Sequence, residues 1–445
     1  MKNRMKLTLI VFSLLSAQIH AQEKKTLGLN EAIDLSIQNS KQLKNSQAKI
    51  DEATATLKEA VERRLPDAKA SASYLRFNSP NVDLKMKPAS GSGGGSSSTE
   101  VPKMNQAAYG LVNLSLPIYT GGRIRYGIES SRFLEQAAKL DAEDNKDEVI
   151  QNTIEAFANL FKAKTAVRLF KENLSQSQHR ENDLGNMEKN GLLARNDFLK
   201  AQLQTSNVEL NLLDAENNLQ LANVNMDLML GLPTATELVL DTTGIARKND
   251  NRVLDDYLQA ALNSRKDMAA IDLRKKAAES GVKSVKGEMF PSLALTGGYI
   301  AADVPQVLVV SNAIDVGVGF SYNIGSLWKT KAKVKQAEAR VKQLSLTESI
   351  LDDNVRLEVN KTYLSLMSSR KKIDVYLKAV EQAEENYRIV KNKFDNSLAT
   401  TGDLIDADIA QLQARLSYTL ARADAFVAYH KLLQTAGILS VEMKK

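Results

Sequence analysis

The sequence predicts a mainly helical, internally duplicated chain with a small β part built from alternating strands. Three observations predict it. The 445 residues align with themselves in two long blocks. Prolines crowd two short regions and are missing from the two long stretches 118–232 and 306–445. Between the prolines lie four segments of roughly ten residues in which apolar side chains alternate with small or polar ones, the length and period of a strand that crosses a bilayer.

The duplication sets the domain plan. At an offset of 225, residues 27–74 fall on 252–299, so that Ile33 meets Leu258, Pro66 meets Pro291 and Tyr74 meets Tyr299. At an offset of 206, residues 108–231 fall on 314–437, so that Leu160 meets Leu366, Asp197 meets Asp403 and Gly231 meets Gly437. The offsets differ because segment 75–107 is longer than its counterpart 300–313. The expected plan is a signal at 1–21, a first repeat at 22–232, a linker at 233–251, a second repeat at 252–437 and a tail at 438–445. Repeats of this size are too long for a solenoid.

The elements follow in order. Lys2, Arg4 and Lys6 precede an apolar run from Leu7 to Leu15 and a small-residue end at Ala21, the pattern of an export signal. Its removal takes three cations from a net charge of +6 and leaves +3, too little to argue for nucleic acid. Segment 29–64 has helical spacing, and 254–286 repeats it. Strands are expected at about 67–77, 109–119, 291–300 and 314–324. Val112, Leu114, Leu116 and Ile118 share one face; Val316, Val318, Phe320, Tyr322 and Ile324 share another. An ordinary half-buried sheet has the same period. Tyr109, Tyr119, Tyr299, Tyr322 and Trp328 gather near the expected strand ends, as interfacial aromatics do. The run Gly91–Ser98 is almost all glycine and serine, the composition of a solvated loop.

Proline-free segments then predict helical hairpins at about 123–231 and 329–437. The first arm, about Arg123 to Glu188, amounts to a rod roughly 100 Å long. Turns fall at Asn190-Gly191-Leu192 and Asn396-Ser397-Leu398. Leu212, Leu219 and Met226 recur every seven residues, as do seams that pack against a neighbouring helix. Arg123 and Arg125, and Lys329, Lys331, Lys333 and Lys335, open the two long helices, either as partners for lipid phosphates or as a solvated face.

The chemistry that is missing narrows the function. There is no Cys, which excludes disulfides, thiolate metal sites and a Cys nucleophile. Outside the signal the histidines are His179 and His430. No phosphate-binding loop or nucleophile elbow is present. The expectation is a chain with no catalytic centre, no metal and no cofactor. If the strands lie in lipid, four are too few to close a barrel, and several chains must share one: two give eight strands, three twelve, four sixteen.

Several motifs resemble the TolC family of outer-membrane channels. They are Leu29-Asn30-Glu31-Ala32-Ile33 opening the first helix, Leu116-Pro117-Ile118-Tyr119-Thr120-Gly121-Gly122-Arg123 closing the second strand, and Ala156-Phe157 with Leu160 and Tyr363 with Leu366 in the long helices. Asn190-Gly191-Leu192 and Leu230-Gly231-Leu232-Pro233 complete the set, and in the second copy of the strand motif Asn323 replaces the proline that the family pattern leads one to expect. The resemblance implies a homotrimer with a twelve-stranded β-barrel in the outer membrane of a Gram-negative bacterium, continuous with a long periplasmic α-helical barrel. It implies an exit duct for a tripartite efflux or type I secretion system, with a periplasmic adaptor and an inner-membrane pump docking at tips near 185–198 and 391–404. It places Asp403 and Asp406 at the periplasmic aperture, as six carboxylates around one axis, with Asp197, Phe394 and Arg195 as neighbours. Arg195 stands as the substitute for a gating arginine whose position is Ala399 here. It turns Val112, Leu114, Leu116, Val318, Phe320 and Tyr322 toward outer-membrane lipid. A competing reading of Asp403 is a helix cap. A competing function is a secreted coiled-coil structural or adhesion protein without a pore.

Overall fold

A computed structural model describes residues 24–78, 105–241, 250–305 and 308–443. The signal read at 1–21, the Gly91–Ser98 run and most of linker residues 242–251 lie outside the described residues. The elements are β1 (Lys24–Leu27), α1 (Leu29–Asn39), α2 (Lys41–Glu62), β2 (Asp67–Arg76), β3 (Gln106–Tyr119), α3 (Arg123–Lys189), α4 (Arg195–Leu230), β4 (Glu237–Leu240), α5 (Leu254–Ser264), α6 (Lys266–Lys286), β5 (Ser292–Val304), β6 (Leu308–Ser321), α7 (Ser326–Asp395), α8 (Thr401–Thr435) and α9 (Leu439–Glu442). They fall into two compact units. One comprises Lys49–Lys139 and Ala270–Glu348; the other comprises Met1–Ala48, Leu140–Ala269 and Ser349–Lys445.

The first of these units is built on an antiparallel sheet of order β2-β3-β5-β6. Its register aligns the apolar rows of all four strands. One rung reads Ala70–Val112–Tyr299–Ile314 and another Ala68–Leu114–Gly297–Val316; Leu116, Leu295 and Val318 follow on the same face. A bulge at Ile118 sets Tyr119 opposite Leu293, which pairs with Phe320, so the tyrosine joins that face after the extra residue. The opposite face carries Lys69–Asn113–Gly298–Asp315 on one rung and Asp67–Ser115–Thr296–Gly317 on the next of that face. The apolar face is bare: Val316 is 79% exposed, Val318 68% and Phe320 67%. No described strand pairs with the outer edge of β2 or of β6.

Two expectations about the strands need correction. β6 ends at Ser321, so Tyr322 and Ile324 lie beyond it. The Asn323 carbonyl accepts both the Ser326 N–H (2.9 Å) and the Ser326 hydroxyl (2.6 Å), which turns the chain out of the ladder. β5 runs on to Val304, which puts Tyr299 inside the strand rather than at its end. Around the sheet, Ser130 of α3 donates to the Ala277 carbonyl of α6 (2.9 Å), and Lys275 and Lys286 of α6 pair with Glu348 and Glu338 of α7. Lys333 pairs with Glu288, so one of the basic residues opening α7 is taken up within the chain.

The second unit holds the main core, including Leu27, Ile154, Phe157, Leu160, Met226, Leu230, Leu366, Leu432 and Leu433. β1 and β4 pair in parallel within it. Thus β4 stands inside what reads from sequence as a linker. Asn223 clamps that segment, donating to the Thr236 carbonyl (2.6 Å) and accepting from the Leu238 N–H (3.1 Å). The helices expected as single pieces at 29–64 and 254–286 are each broken, at Ser40 and at Arg265. The two copies support the break with different chemistry. The Asn39 amide donates to the Leu230 carbonyl (2.7 Å), and the Arg265 guanidinium donates to the Thr435 carbonyl (3.2 Å). Gly231 and Gly437, with φ of 71° and 68°, lie against these breaks; a Cβ at either would come within 3 Å of Asn39 or Arg265.

Asp250 ties the start of the second copy to the chain end. It accepts from Arg252 and from the Tyr257 hydroxyl (2.7 Å), while Arg252 also reaches Glu442 (3.3 Å). Burial alone would raise the Asp250 carboxyl, but these hydrogen bonds outweigh it and hold it at about 2.

Ion pairs and hydrogen bonds order the long helices of this unit side by side as α4-α3-α8-α7. Lys171 of α3 pairs with Glu216 of α4, Lys162 of α3 with Asp424 of α8, and Arg415 of α8 with Glu384 of α7. Met226 on the seven-residue seam of α4 is fully buried. A second leucine row on α4 is not: Leu203, Leu210, Leu221 and Leu228 are each more than 60% exposed. On the outer helix at the other side, α7, Ile350, Leu357 and Leu364 are equally bare.

Candidate functional site

The candidate site lies at the two hairpin turns of this unit. Both turns close the first arm with the same hydrogen-bond pair. In the first, the Leu192 N–H reaches the Met187 carbonyl (2.9 Å) and the Gly191 N–H reaches Glu188 (2.9 Å). In the second, Leu398 reaches Lys393 (2.7 Å) and Ser397 reaches Phe394 (2.9 Å). This is a Schellman arrangement, which needs a left-handed residue. Gly191 supplies it with φ of 73°; Ser397 supplies it with φ of 59°, although it has a side chain.

The second arms start differently. α8 opens with a capping box. The Asp403 N–H donates to the Thr400 hydroxyl oxygen (3.1 Å), and the Thr400 N–H donates back to the Asp403 carboxylate (2.8 Å). The Thr400 hydroxyl, 2.7 Å from that carboxylate, reinforces the contact. The Thr400 N–H, then its hydroxyl, hold the Asp403 carboxyl below the usual range. α4 has no such device: its cap is Ala194, and Asp197, at the position matching Asp403, pairs instead with Lys200 (3.0 Å).

Asp406 stands one turn beyond Asp403 on the same side of α8, and both are exposed. Arg195 is committed to its own turn, reaching Glu188 (3.3 Å) and lying over the Phe198 ring at 5.7 Å. Phe394 lies half-buried in the last turn of α7. Thus Asp403 and Asp406 share a surface, whereas among the described residues no hydrogen bond or ion pair joins them to Asp197, Arg195 or Phe394. Of the strand residues, Val112, Leu114, Leu116, Val318 and Phe320 occupy one sheet face, and Tyr322 falls outside it.

Sequence reasoning misses a buried polar cluster behind this surface. Asp408, 1% exposed, pairs with Arg180 of α3 (2.9 Å) and accepts from Asn173 (3.0 Å). Its second carboxylate oxygen, both terminal nitrogens of Arg180 and the Asn173 amide oxygen have no hydrogen-bond partner. Ser177 of α3 and Thr205 of α4 hydrogen-bond nearby (3.0 Å). The signal available was an aspartate between buried Ala407 and the exposed Ile409, two residues from Asp406; its partner lies in the other repeat. No group of side chains suited to a metal ion occurs among the described residues, and no described helix is long and apolar enough to cross a membrane.

Comparison with known proteins places these features. The outer membrane efflux protein family matches residues 32–232 and 257–437, which are most of the chain and both copies. The outer membrane efflux protein BepC of Brucella suis is 22% identical over 185 residues; the match spans 41% of this chain and 41% of that relative, less than half its length. Among solved structures, the outer membrane protein VceC of Vibrio cholerae aligns with a TM-score of 0.74 at 18% identity, covering 92% of this chain and 96% of that one. The CmeC outer membrane channel of Campylobacter jejuni aligns with a TM-score of 0.77 at 18% identity, covering 92% and 86%. At this identity the alignments establish a shared fold: long paired helices and a small sheet.

Proposed function

The chain belongs to the outer membrane efflux protein family, and on that premise we propose that three copies form the exit duct of a tripartite efflux or type I secretion system in the outer membrane of a Gram-negative bacterium. The duct conducts substrates passively and performs no catalysis. Each copy supplies four strands to a twelve-stranded barrel and four helices to the wall of a periplasmic tunnel. The tips near 185–198 and 391–404 receive a periplasmic adaptor and an inner-membrane pump.

The observation that carries this reading is that both halves of the chain are unfinished walls. The sheet has two open edges and one bare apolar face, which water disfavours and lipid accepts. The helical layer ends on both sides in bare leucine rows, on α4 and on α7. A ring of copies pairs both sheet edges and covers both leucine rows, because α7 of one copy meets α4 of the next and β6 of one meets β2 of the next; lipid covers the apolar sheet face. A secreted coiled coil without a pore accounts for the helices but leaves the sheet face in water.

Within that ring, three copies of Asp403 and Asp406 set six carboxylates at the periplasmic aperture. Fixed negative charge around a narrow axis favours cations and repels anions. Asp403 combines this with its cap, since the carboxylate that accepts from Thr400 keeps its charge. The test is the native mass and location of the protein. Heat-resistant trimers in the outer-membrane fraction are expected; a water-soluble filament or monomer contradicts the proposal.

A further inference from the structure

We propose that neighbouring copies join in one register, with Ser321 of β6 opposite Asp67 of β2 in the next copy, so that Phe320, Val318 and Val316 stand against Ala68, Ala70 and Ala72. The inference rests on the trimeric channel reading and adds to it the register of the seam, which three independent features select.

The first feature is a stagger. Asp67 opens β2 and shares a rung with Ser115, Thr296 and Gly317, yet β6 continues four residues past Gly317 to Ser321. Those residues have no counterpart on β2 of their own chain. In lipid an unpaired backbone group at a sheet edge is costly. The proposed register sets the foot of β6 against the foot of the next β2 and pairs every residue of β2, from Asp67 to Arg76, with Ser321 to Asn312.

The second feature is closure. A barrel closes only if its strands tilt, so a rung followed once around returns displaced along the strand. Three-fold symmetry requires an equal share from each seam. A displacement of four residues per chain gives one residue per strand, or a shear of about 12 and a tilt of about 35°, within the usual range. Zero displacement gives no tilt. An odd displacement turns the apolar face of one copy into the polar face of the next.

The third feature is side-chain size. The apolar column on β2 is Ala68, Ala70 and Ala72; that on β6 is Val316, Val318 and Phe320, which are 79%, 68% and 67% exposed. Small against large lets two strand edges approach to hydrogen-bonding distance. On the other face the same register sets Gly319 against Lys69 and Asp315 against Ser73, giving the lysine room and the carboxylate a hydroxyl donor.

The chain has no cysteine, so engineered pairs report the register directly. Directly opposed Cβ atoms lie about 4.5–5.5 Å apart and diagonal ones about 7–8 Å, and only the former suit a disulfide. The full-length protein carrying Val318→Cys with Ala70→Cys is oxidised in membranes and run under denaturing conditions beside Val318→Cys with Ala72→Cys; Phe320→Cys with Ala68→Cys is an independent second pair. Covalent trimers from the first and third variants, with at least ten-fold less from the second, are the expected result. Predominant linking by the second variant, or equal linking by all three, overturns the register while leaving the trimer intact. Failure of the unmodified chain to form any oligomer in detergent removes the reading on which the register rests.

Discussion

At position 397 a serine holds a left-handed backbone conformation that glycine holds at the matching turn of the first copy. Its Cβ makes that conformation costly. Replacement Ser397→Gly is expected to stabilise the second hairpin by up to about 1 kcal/mol, read as a higher denaturant midpoint, because strain relief exceeds the added freedom of the unfolded chain. Asp403 caps α8, and the proposed function gives it a second role at the aperture. Its folded carboxyl is held below the ordinary value by Thr400, so its capping contribution is complete above the unfolded value and is lost as pH falls through the folded one. Cation preference of the wild-type channel should therefore persist into mildly acidic solution. Asp403→Ala with Asp406→Ala should move the reversal potential toward that of a non-selective pore and weaken block by trivalent cations. Unchanged selectivity would assign both residues to helix structure alone. The cap was legible because Thr400 and Asp403 are three residues apart. The cluster of Asp408 with Arg180 was not, since its members belong to different repeats and no local spacing links them.

Elements show the same division between local and distant causes. Strand alternation and the proline-free helices are written locally, which is why the mainly helical character with a small β part could be read directly. The breaks at Ser40 and Arg265 are not legible in the helical spacing; Ser40 caps the following helix locally by accepting the Leu43 N–H (3.2 Å), and each break is also supported by a hydrogen bond to a carbonyl near the end of a helix far along the chain. The strand β4 escaped for a similar reason: four residues in a segment that reads as a linker become a strand through pairing with β1 and the clamp from Asn223. The Asp408–Arg180 pair joins the first hairpin to the second through α3 and α8. Asp408→Ala leaves a nearly buried guanidinium without its anion and is expected to cost about 3–5 kcal/mol. The double replacement Asp408→Leu with Arg180→Met should recover most of that loss in the same unfolding experiment. Equal destabilisation by both variants would show that the pair does not couple the hairpins.

For the whole molecule, the central feature is incompleteness. A soluble monomer would have to leave a row of β-branched and aromatic side chains on one sheet face in water, together with two unpaired strand edges and two leucine-rich helix faces. Assembly in a membrane resolves all of these at once. Placing a charge on the apolar row tests that view: Leu114→Arg or Val316→Arg, which share a rung away from the strand ends, is expected to cost about 2–4 kcal/mol per chain near the bilayer midplane and to lower trimer yield. Lys69→Arg on the opposite face serves as a control and should assemble normally. Normal assembly of the row variants would show that this face does not meet lipid.

The most direct test of the account is the conductance of the purified protein in a planar lipid bilayer, with its oligomeric mass determined in the same detergent. The account predicts a trimer that opens discrete, cation-preferring channels. A stable monomer that dissolves without detergent and passes no current would contradict it.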